Sequence, residues 1–260
     1  MTETEPPRPA ATLIVFRHAR GGGSPQVLMQ VRAAEMRFAA GACVFPGGAV
    51  DPADAALAET LPAPAGWDGL PDLTARIAAI REMLEETGLA IGLKREDGQP
   101  IDAEQAARAR ALLGQHKALH PVLEEMGWQI DAAALTPFAR WCPRFARPFD
   151  TRFYLADLGT GAVDVSHEAH ESQQLLWLSP SEVLAQAEAG ALSVIFPTRR
   201  NLERLARFAS FEEVRAHALA SPLDTITPSI VEREGTAWLT IPEGMGYPVT
   251  EERLETAKRG

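Results

Sequence analysis

Lysine and cysteine are scarce in this 260-residue sequence, and each shortage narrows what the chain can do. Lys94, Lys117 and Lys258 are the only lysines among 25 basic residues, so nearly all the positive charge is arginine. The arginine fork suits bidentate recognition of phosphate, which makes local anion sites an expectation; a codon bias toward arginine and alanine would give the same ratio. The formal net charge of −10 disfavours a general nucleic-acid binder, because such affinity comes mainly from neutralising phosphates. Only two cysteines occur, Cys43 and Cys142, both in strand-like surroundings. They read as buried free thiols of a reducing cytosol, so a cytoplasmic location is expected and a disulfide framework is not. No apolar run reaches the roughly 18 residues that a membrane span needs. Met1–Pro9 is acidic and then proline-rich, lacks the basic start of a signal peptide, and reads as a short disordered tail over 1–9. Neither an internal repeat nor a heptad pattern is visible. What remains, 46% hydrophobic and 23% charged, is the composition of a soluble globular protein.

The most informative stretch is Ala75–Leu89. Ile77, Ile80 and Leu84 fall on one apolar stripe of a helix, while Glu82, Glu85 and Glu86 share another face. Three carboxylates this close repel one another, and an arbitrary E-x-x-E-E is most simply a solvated acidic face. A hard divalent cation held through oxygen ligands would offset the repulsion. Arg81 stands four residues before Glu85 and is placed to hold a carboxylate, and Gly88 supplies a helix stop.

Upstream runs Phe45-Pro46-Gly47-Gly48-Ala49-Val50-Asp51, a strand end breaking into a glycine loop. Together the two stretches resemble the box of the Nudix hydrolases, G-x5-E-x7-R-E-U-x-E-E-x-G-U, where U is aliphatic. Arg81, Glu82, Met83, Glu85, Glu86, Gly88 and Leu89 match its second half, and Gly48 matches its first glycine. Asp54 stands where the pattern has its first Glu, and residues 55–80 stand where it has seven. The departure puts in question whether Asp54 takes the family role. Arg32 and Arg37, with Gly41 and Phe45-Pro46-Gly47-Gly48, also resemble the signature upstream of the box in coenzyme A diphosphatases, including a branch that carries an insertion inside the box. Read without the resemblance, both arginines are ordinary loop residues.

The resemblance implies an α/β fold, a Nudix-type α/β/α sandwich around a mixed sheet with helical insertions. It implies one domain over 10–207, with insertions at about 52–72 and 94–135; residues 208–260, beyond the resemblance, are expected to be a C-terminal extension packing on the same domain. The first insertion is rich in proline and glycine and is expected to be a loop with one helical turn, cut off by Pro62 and Pro64. The second has helical patterning, with breaks at Gly114 and Gly127, and is expected to cover the site. Strands are expected at Ala11–Phe16, Val27–Val31, Thr136–Cys142, Phe149–Leu158 and Ala237–Ile241, and helices at Ser181–Ala189, Pro197–Phe208 and Phe211–Ala220.

As to chemistry, the resemblance implies Mg2+ or Mn2+ on Glu82, Glu85, Glu86 and a distal Glu171, with Glu168 in reserve. His167 and His170 beside these glutamates mimic a zinc cluster, but no further Cys/His pair supports one. Glu85, Arg81 and Glu171 are the expected catalytic residues, Glu85 or Glu171 taking the proton. Arg32, Arg37, Gly47 and Gly48 are the expected substrate contacts. The expected substrate is a small nucleotide, coenzyme A or acyl-coenzyme A, with NADH, ADP-ribose and capped RNA as alternatives. A nucleotide-sensing domain without hydrolysis is a third reading, against which the intact R-E-x-x-E-E counts. Neither a membrane nor a nucleic acid is expected as partner, and the sequence does not speak to oligomeric state.

Overall fold

The computed structural model describes residues 6–19, 23–32, 41–62, 69–143, 149–158 and 173–257. In chain order the elements are β1 (Arg8–Arg17), β2 (Gln26–Arg32), β3 (Cys43–Val44), β4 (Gly47–Ala49), α1 (Pro52–Glu59) and α2 (Leu70–Thr87). There follow β5 (Leu93–Arg95), α3 (Ala103–His116), α4 (Leu119–Met126), β6 (Trp128–Ile130), β7 (Thr136–Trp141) and β8 (Phe149–Asp157). The last part contains β9 (Gln173–Leu178), α5 (Pro180–Glu188), α6 (Phe196–Leu205), α7 (Phe211–Ala220), β10 (Thr225–Ile226), β11 (Ser229–Arg233), β12 (Thr236–Thr240), β13 (Glu251–Arg253) and α8 (Leu254–Ala257).

Strand β1 is the axis of an eight-stranded mixed sheet. It is buried on both faces from Ala10 to Phe16 apart from Thr12, as a strand covered by helices on each side must be. Along one edge it runs parallel to β8, from Arg8↔Phe149 to Phe16↔Asp157. Its other edge is shared. At its end it meets β2 through Phe16↔Val27 and Arg17↔Gln26, whereas at its start it meets β4 through Ala10↔Ala49 and Thr12↔Gly47. Strand β2 in turn pairs with β3 at Gln30↔Val44 and with β9 along its length. The sheet thus forks: β1 and β2 part company, and the β3–β4 turn at Phe45-Pro46 fills the opening, held by Leu13 N–H donating to Pro46 O at 3.1 Å.

Alternation along these strands creates two cores. Ala11, Leu13, Val15, Tyr154 and Ala156 face α1–α4, packing against Ile77, Ile80, Met83 and Leu84 of α2. Ile14, Phe16, Val27, Phe153 and Leu155 face α5–α7 and the C-terminal residues Leu239, Ile241, Met245 and Tyr247. This is the expected α/β/α sandwich around a mixed sheet.

Four local expectations need correction. Arg8 and Pro9, read as tail, begin β1. Residues 52–59 of the first insertion form the two-turn helix α1, because Pro52 sits at its first position and the Asp54 carboxylate accepts the Asp51 N–H at 2.9 Å. The helix carrying the carboxylates starts at Leu70, earlier than Ala75. Gly114 does not break α3, which runs on to His116 and ends with Lys117 in the left-handed conformation at φ 56°. Gly127, at φ 62°, does end α4. The cysteines are free thiols, Cys43 buried and its pKa pushed up to about 12 by that burial. Among the described residues, no helix is long and apolar enough to cross a membrane.

The C-terminal residues are tied into the second core by a polar chain. Trp141 Nε1 donates to Tyr247 Oη at 3.0 Å, and Tyr247 Oη donates to Asn201 Oδ1 at 2.7 Å, all three side chains being buried. Strand β10 extends the main sheet beside β7. Tyr247→Phe removes one acceptor and one donor at once. Leaving a buried indole N–H and amide oxygen unpaired costs about 1–3 kcal/mol. The expected result in equilibrium urea unfolding is a lower midpoint with a single transition; a separate early transition would show that the C-terminal residues unfold on their own.

Candidate active site

Helix α2 positions the acidic face. Its apolar side faces β1, and Gly88 ends it in the left-handed conformation at φ 75° with its N–H on Leu84 O at 3.0 Å. The expected helical insertion does not cover the cleft; it packs behind α2. Arg110 of α3 donates from Nε to Glu85 O at 2.9 Å and from Nη2 to Glu86 O at 3.3 Å, satisfying carbonyls that a helix end leaves unpaired.

Arg81 is the hub. Only 3% exposed, it forks onto Asp54 with Nε–Oδ1 at 2.9 Å and Nη2–Oδ2 at 3.1 Å. Nη2 also donates to Ala49 O at 3.0 Å, and Nη1 lies 2.9 Å from Glu82 Oε1 and 3.4 Å from Glu85 Oε2. One guanidinium therefore joins α1, β4 and α2. The insertion inside the box does not displace Asp54 from Arg81, since α1 carries it there.

Glu86 accepts from Gly47 N–H at 3.0 Å and from Gln30 Nε2 at 3.2 Å. Glu82 lies against Gly48 so closely that any Cβ there would collide with its carboxyl group. Gly47, at φ 154°, likewise has the backbone of Ala11 and Thr12 where a side chain would go. The two glycines let β4 run directly beneath the carboxylates. Burial pushes the Glu82 carboxyl up to about 7, opposed by Arg81 and reinforced by Glu86. Burial raises Glu86 as well, against the lowering effect of Gln30 and Gly47. Glu85 is more exposed and turns toward Arg81.

Glu82 and Glu86 open onto a cleft of about 490 Å³, whose walls include Arg32, Gly47, Gly48, Trp141, Phe149 and Thr198. Of the expected site residues, Glu82, Glu86, Arg32, Gly47 and Gly48 meet there. Arg81 stands behind the carboxylates, and Glu85 is not part of the cleft wall. Arg37, Glu168 and Glu171 lie outside the described residues. Among the described residues, no three His, Cys, Asp or Glu side chains gather as a ready metal cage. The donor set nevertheless fits a hard cation: two partly buried carboxylates of raised pKa, and beside Glu86 the buried amide oxygen Gln30 Oε1, with no hydrogen-bond partner among the described residues. Gln30 was missed at the sequence level, where it was one polar residue within an apolar strand.

Two tests follow from this geometry. Asp54→Ala strands the buried Arg81 guanidinium, and breaking a buried pair from one side costs about 3–5 kcal/mol. Urea unfolding should show a loss of that size; one below about 1 kcal/mol would mean that Arg81 is held without Asp54. The second concerns pH. With its native pKa raised from 4.5 to about 7, Glu82 holds its proton better folded than unfolded. That contribution is complete below the unfolded pKa and is lost as pH rises through the folded one. Relative to Glu82→Gln, the cation-free wild type should lose about 3 kcal/mol between the two pKa values. A stability gap independent of pH would contradict the burial of this charge.

No family model matches the chain. It is 27% identical over 265 residues to the acyl-coenzyme A diphosphatase NUDT19 of Gallus gallus, covering 80% of this chain and 70% of that protein. It is 26% identical over 219 residues to the putative nudix hydrolase 7 of Caenorhabditis elegans, covering 79% of this chain and 66% of that one. Among solved structures, a Nudix hydrolase from Alicyclobacillus acidocaldarius superposes with a TM-score of 0.66 at 29% identity, covering 82% of this chain and 97% of the other. With the matched box brought together on α2 and β4, the chain belongs to the Nudix hydrolase superfamily, enzymes that cleave phosphoric anhydrides.

Proposed function

We propose that the protein is a divalent-metal-dependent diphosphatase that cleaves coenzyme A or acyl-coenzyme A into 3′,5′-ADP and (acyl-)phosphopantetheine. The observation that carries the reading is the make-up of the cleft. Glu82 and Glu86 stand at one wall, while Phe45, Trp141, Pro143, Phe149, Phe153 and Ile195 give the rest an apolar, aromatic lining. A nucleotide joined through a diphosphate to a long, weakly polar arm matches both parts. The similarity to an acyl-coenzyme A diphosphatase supports the same substrate class.

In this reading Glu82 and Glu86 hold Mg2+ or Mn2+, with Glu171 as the distal ligand. The bound cation supplies neutralisation of the diphosphate oxygens and a more acidic water. The other steps belong to the chain. Arg81, fixed by Asp54 and Ala49 O, keeps α2 in register with β4, so the carboxylates hold their spacing while charge develops. Gly47 and Gly48 allow backbone to stand beside the anhydride. Arg32 lines the cleft with its Nε buried and unpartnered among the described residues, and it clamps an anionic oxygen of the substrate. Arg37 is proposed to assist it. Glu85 does not line the cleft; half-exposed and 3.4 Å from Arg81, it or the distal Glu171 is proposed to take the proton of the attacking water. Water adds across the anhydride, and each product leaves with one phosphate of the diphosphate, the nucleotide keeping its 3′-phosphate as well.

Turnover of a panel comprising coenzyme A, acetyl-coenzyme A, NADH and ADP-ribose, with products identified by mass, tests the reading. Coenzyme A or its acyl ester is expected to lead in kcat/KM. A preference for NADH or ADP-ribose by about tenfold, on the order of 1.4 kcal/mol, would overturn the substrate assignment. Glu85→Gln, with unchanged circular dichroism, should retain less than about a tenth of the wild-type rate. A higher residual rate would remove Glu85 from the chemistry.

A further inference from the structure

The wall of the cleft that comes from α6 is built differently from the carboxylate wall. Ile195, Pro197 and Thr198 line it, so the helix points its first turn into the cleft. Ile195 stands at the N-cap and has no side chain able to cap. Pro197 has no N–H to satisfy, and the Arg199 N–H is taken by Ile195 O at 2.9 Å. The N–H groups of Phe196 and Thr198 have no backbone partner among the described residues. Thr198 is only 4% exposed as a residue and lines the cleft, and its hydroxyl makes no hydrogen bond to any described residue. A hydroxyl without a partner on a cleft-lining residue, at a helix start with free N–H groups, is a cluster of donors open to an acceptor.

Those donors suit an anion, because free N–H groups and the positive end of the helix dipole both favour negative charge. At the carboxylate wall a cation held by Glu82 and Glu86 would take the diphosphate. A coenzyme A molecule carries one further phosphate, the 3′-phosphomonoester of its ribose. We infer that the α6 N-terminus and the Thr198 hydroxyl form a subsite for this second phosphate, which makes Thr198 a specificity residue. The inference rests on the reading of the substrate as coenzyme A. Arg8, exposed on the same cleft and without an ion-pair partner among the described residues, adds positive charge at the β1 end of the wall.

The test measures binding rather than turnover. Calorimetric titration of 3′,5′-ADP and of 5′-AMP, with Mg2+ present, compares two ligands that differ only by the 3′-phosphate. Wild-type protein is expected to bind 3′,5′-ADP at least about tenfold more tightly, and Thr198→Val to lose most of that margin while 5′-AMP affinity stays within about twofold. Tenfold is the factor for losing one hydrogen bond to a charged group. Thr198→Ser, which keeps the hydroxyl, should restore the margin, and Thr198→Ala, which removes it, takes the place of the valine variant if that folds poorly. Equal loss of affinity for both nucleotides, no loss for either, or failure of serine to restore the margin would overturn the subsite. Its failure is separable from that of the proposed function. A Thr198-dependent preference for 3′,5′-ADP in a protein that turns over NADH best keeps the subsite and rejects coenzyme A as substrate. Coenzyme A turnover without that preference does the reverse.

Discussion

The structure depends on how one buried charge is satisfied. Arg81 has almost no exposure to water, and its guanidinium must find its partners within the protein. Asp54 takes two of its N–H groups in a fork, Ala49 O shares one of those nitrogens, and the third nitrogen faces Glu82 and Glu85. A lysine could not do this, since an ammonium has no planar fork with which to grip a carboxylate and a carbonyl together. The partners lie on α1, β4 and α2, so satisfying the charge fixes three elements relative to one another. Placing β4 under α2 then places Gly47 and Gly48 under Glu86 and Glu82. The geometry of the site is thus set by the partners that a buried cation requires.

The carboxylates themselves are left in tension. Glu82 has one arginine contact but is largely buried beside Glu86, and its pKa rises to about 7 in spite of Arg81. Gly47 and Gln30 soften the burial of Glu86 without cancelling it. Two acids held where neither ionises easily are unfavourable for stability and favourable for recruiting a cation. Such local violations of otherwise consistent packing are where function is expected to lie. The helical insertion contributes from behind: Arg110 binds the carbonyls of Glu85 and Glu86, which steadies the backbone that carries two of the three acids.

Much of this was legible in the sequence because it rested on periodicity. The apolar stripe of α2, the helix at Phe211–Ala220 and the strands on both sides of the fork follow from which residues must face a core. What was missed rested on competition between local signals. Pro62 and Pro64 argued for a loop across the first insertion, but Pro52 at a helix start and Asp54 reaching back to the Asp51 N–H outweighed them over two turns. Gly114 read as a break, yet glycine inside a helix costs only about 1 kcal/mol, and the burial of Leu113 and Ala109 exceeds it. Gln30 and Thr198 carried no periodic signal at all. Each is a single polar residue in an apolar context, and it becomes informative only when its missing partner can be counted in space.

An acidic protein with an anionic substrate poses an apparent conflict, which distance resolves. At physiological ionic strength the field of surface charges decays over about 8 Å, so the net charge of −10 bears on encounter more than on what happens inside a cleft. Within the cleft the local donors decide. Arg32 on β2 keeps a buried Nε without a partner among the described residues, and the first turn of α6 offers N–H groups and a hydroxyl. In the proposed reading the two acids on the opposite wall call for a cation, and the unpaired donors hold the anion it brings. The two walls come from opposite layers of the sandwich, α2 from one face of the sheet and α6 from the other. They can meet on one cleft because β1 and β2 diverge and open the sheet between them.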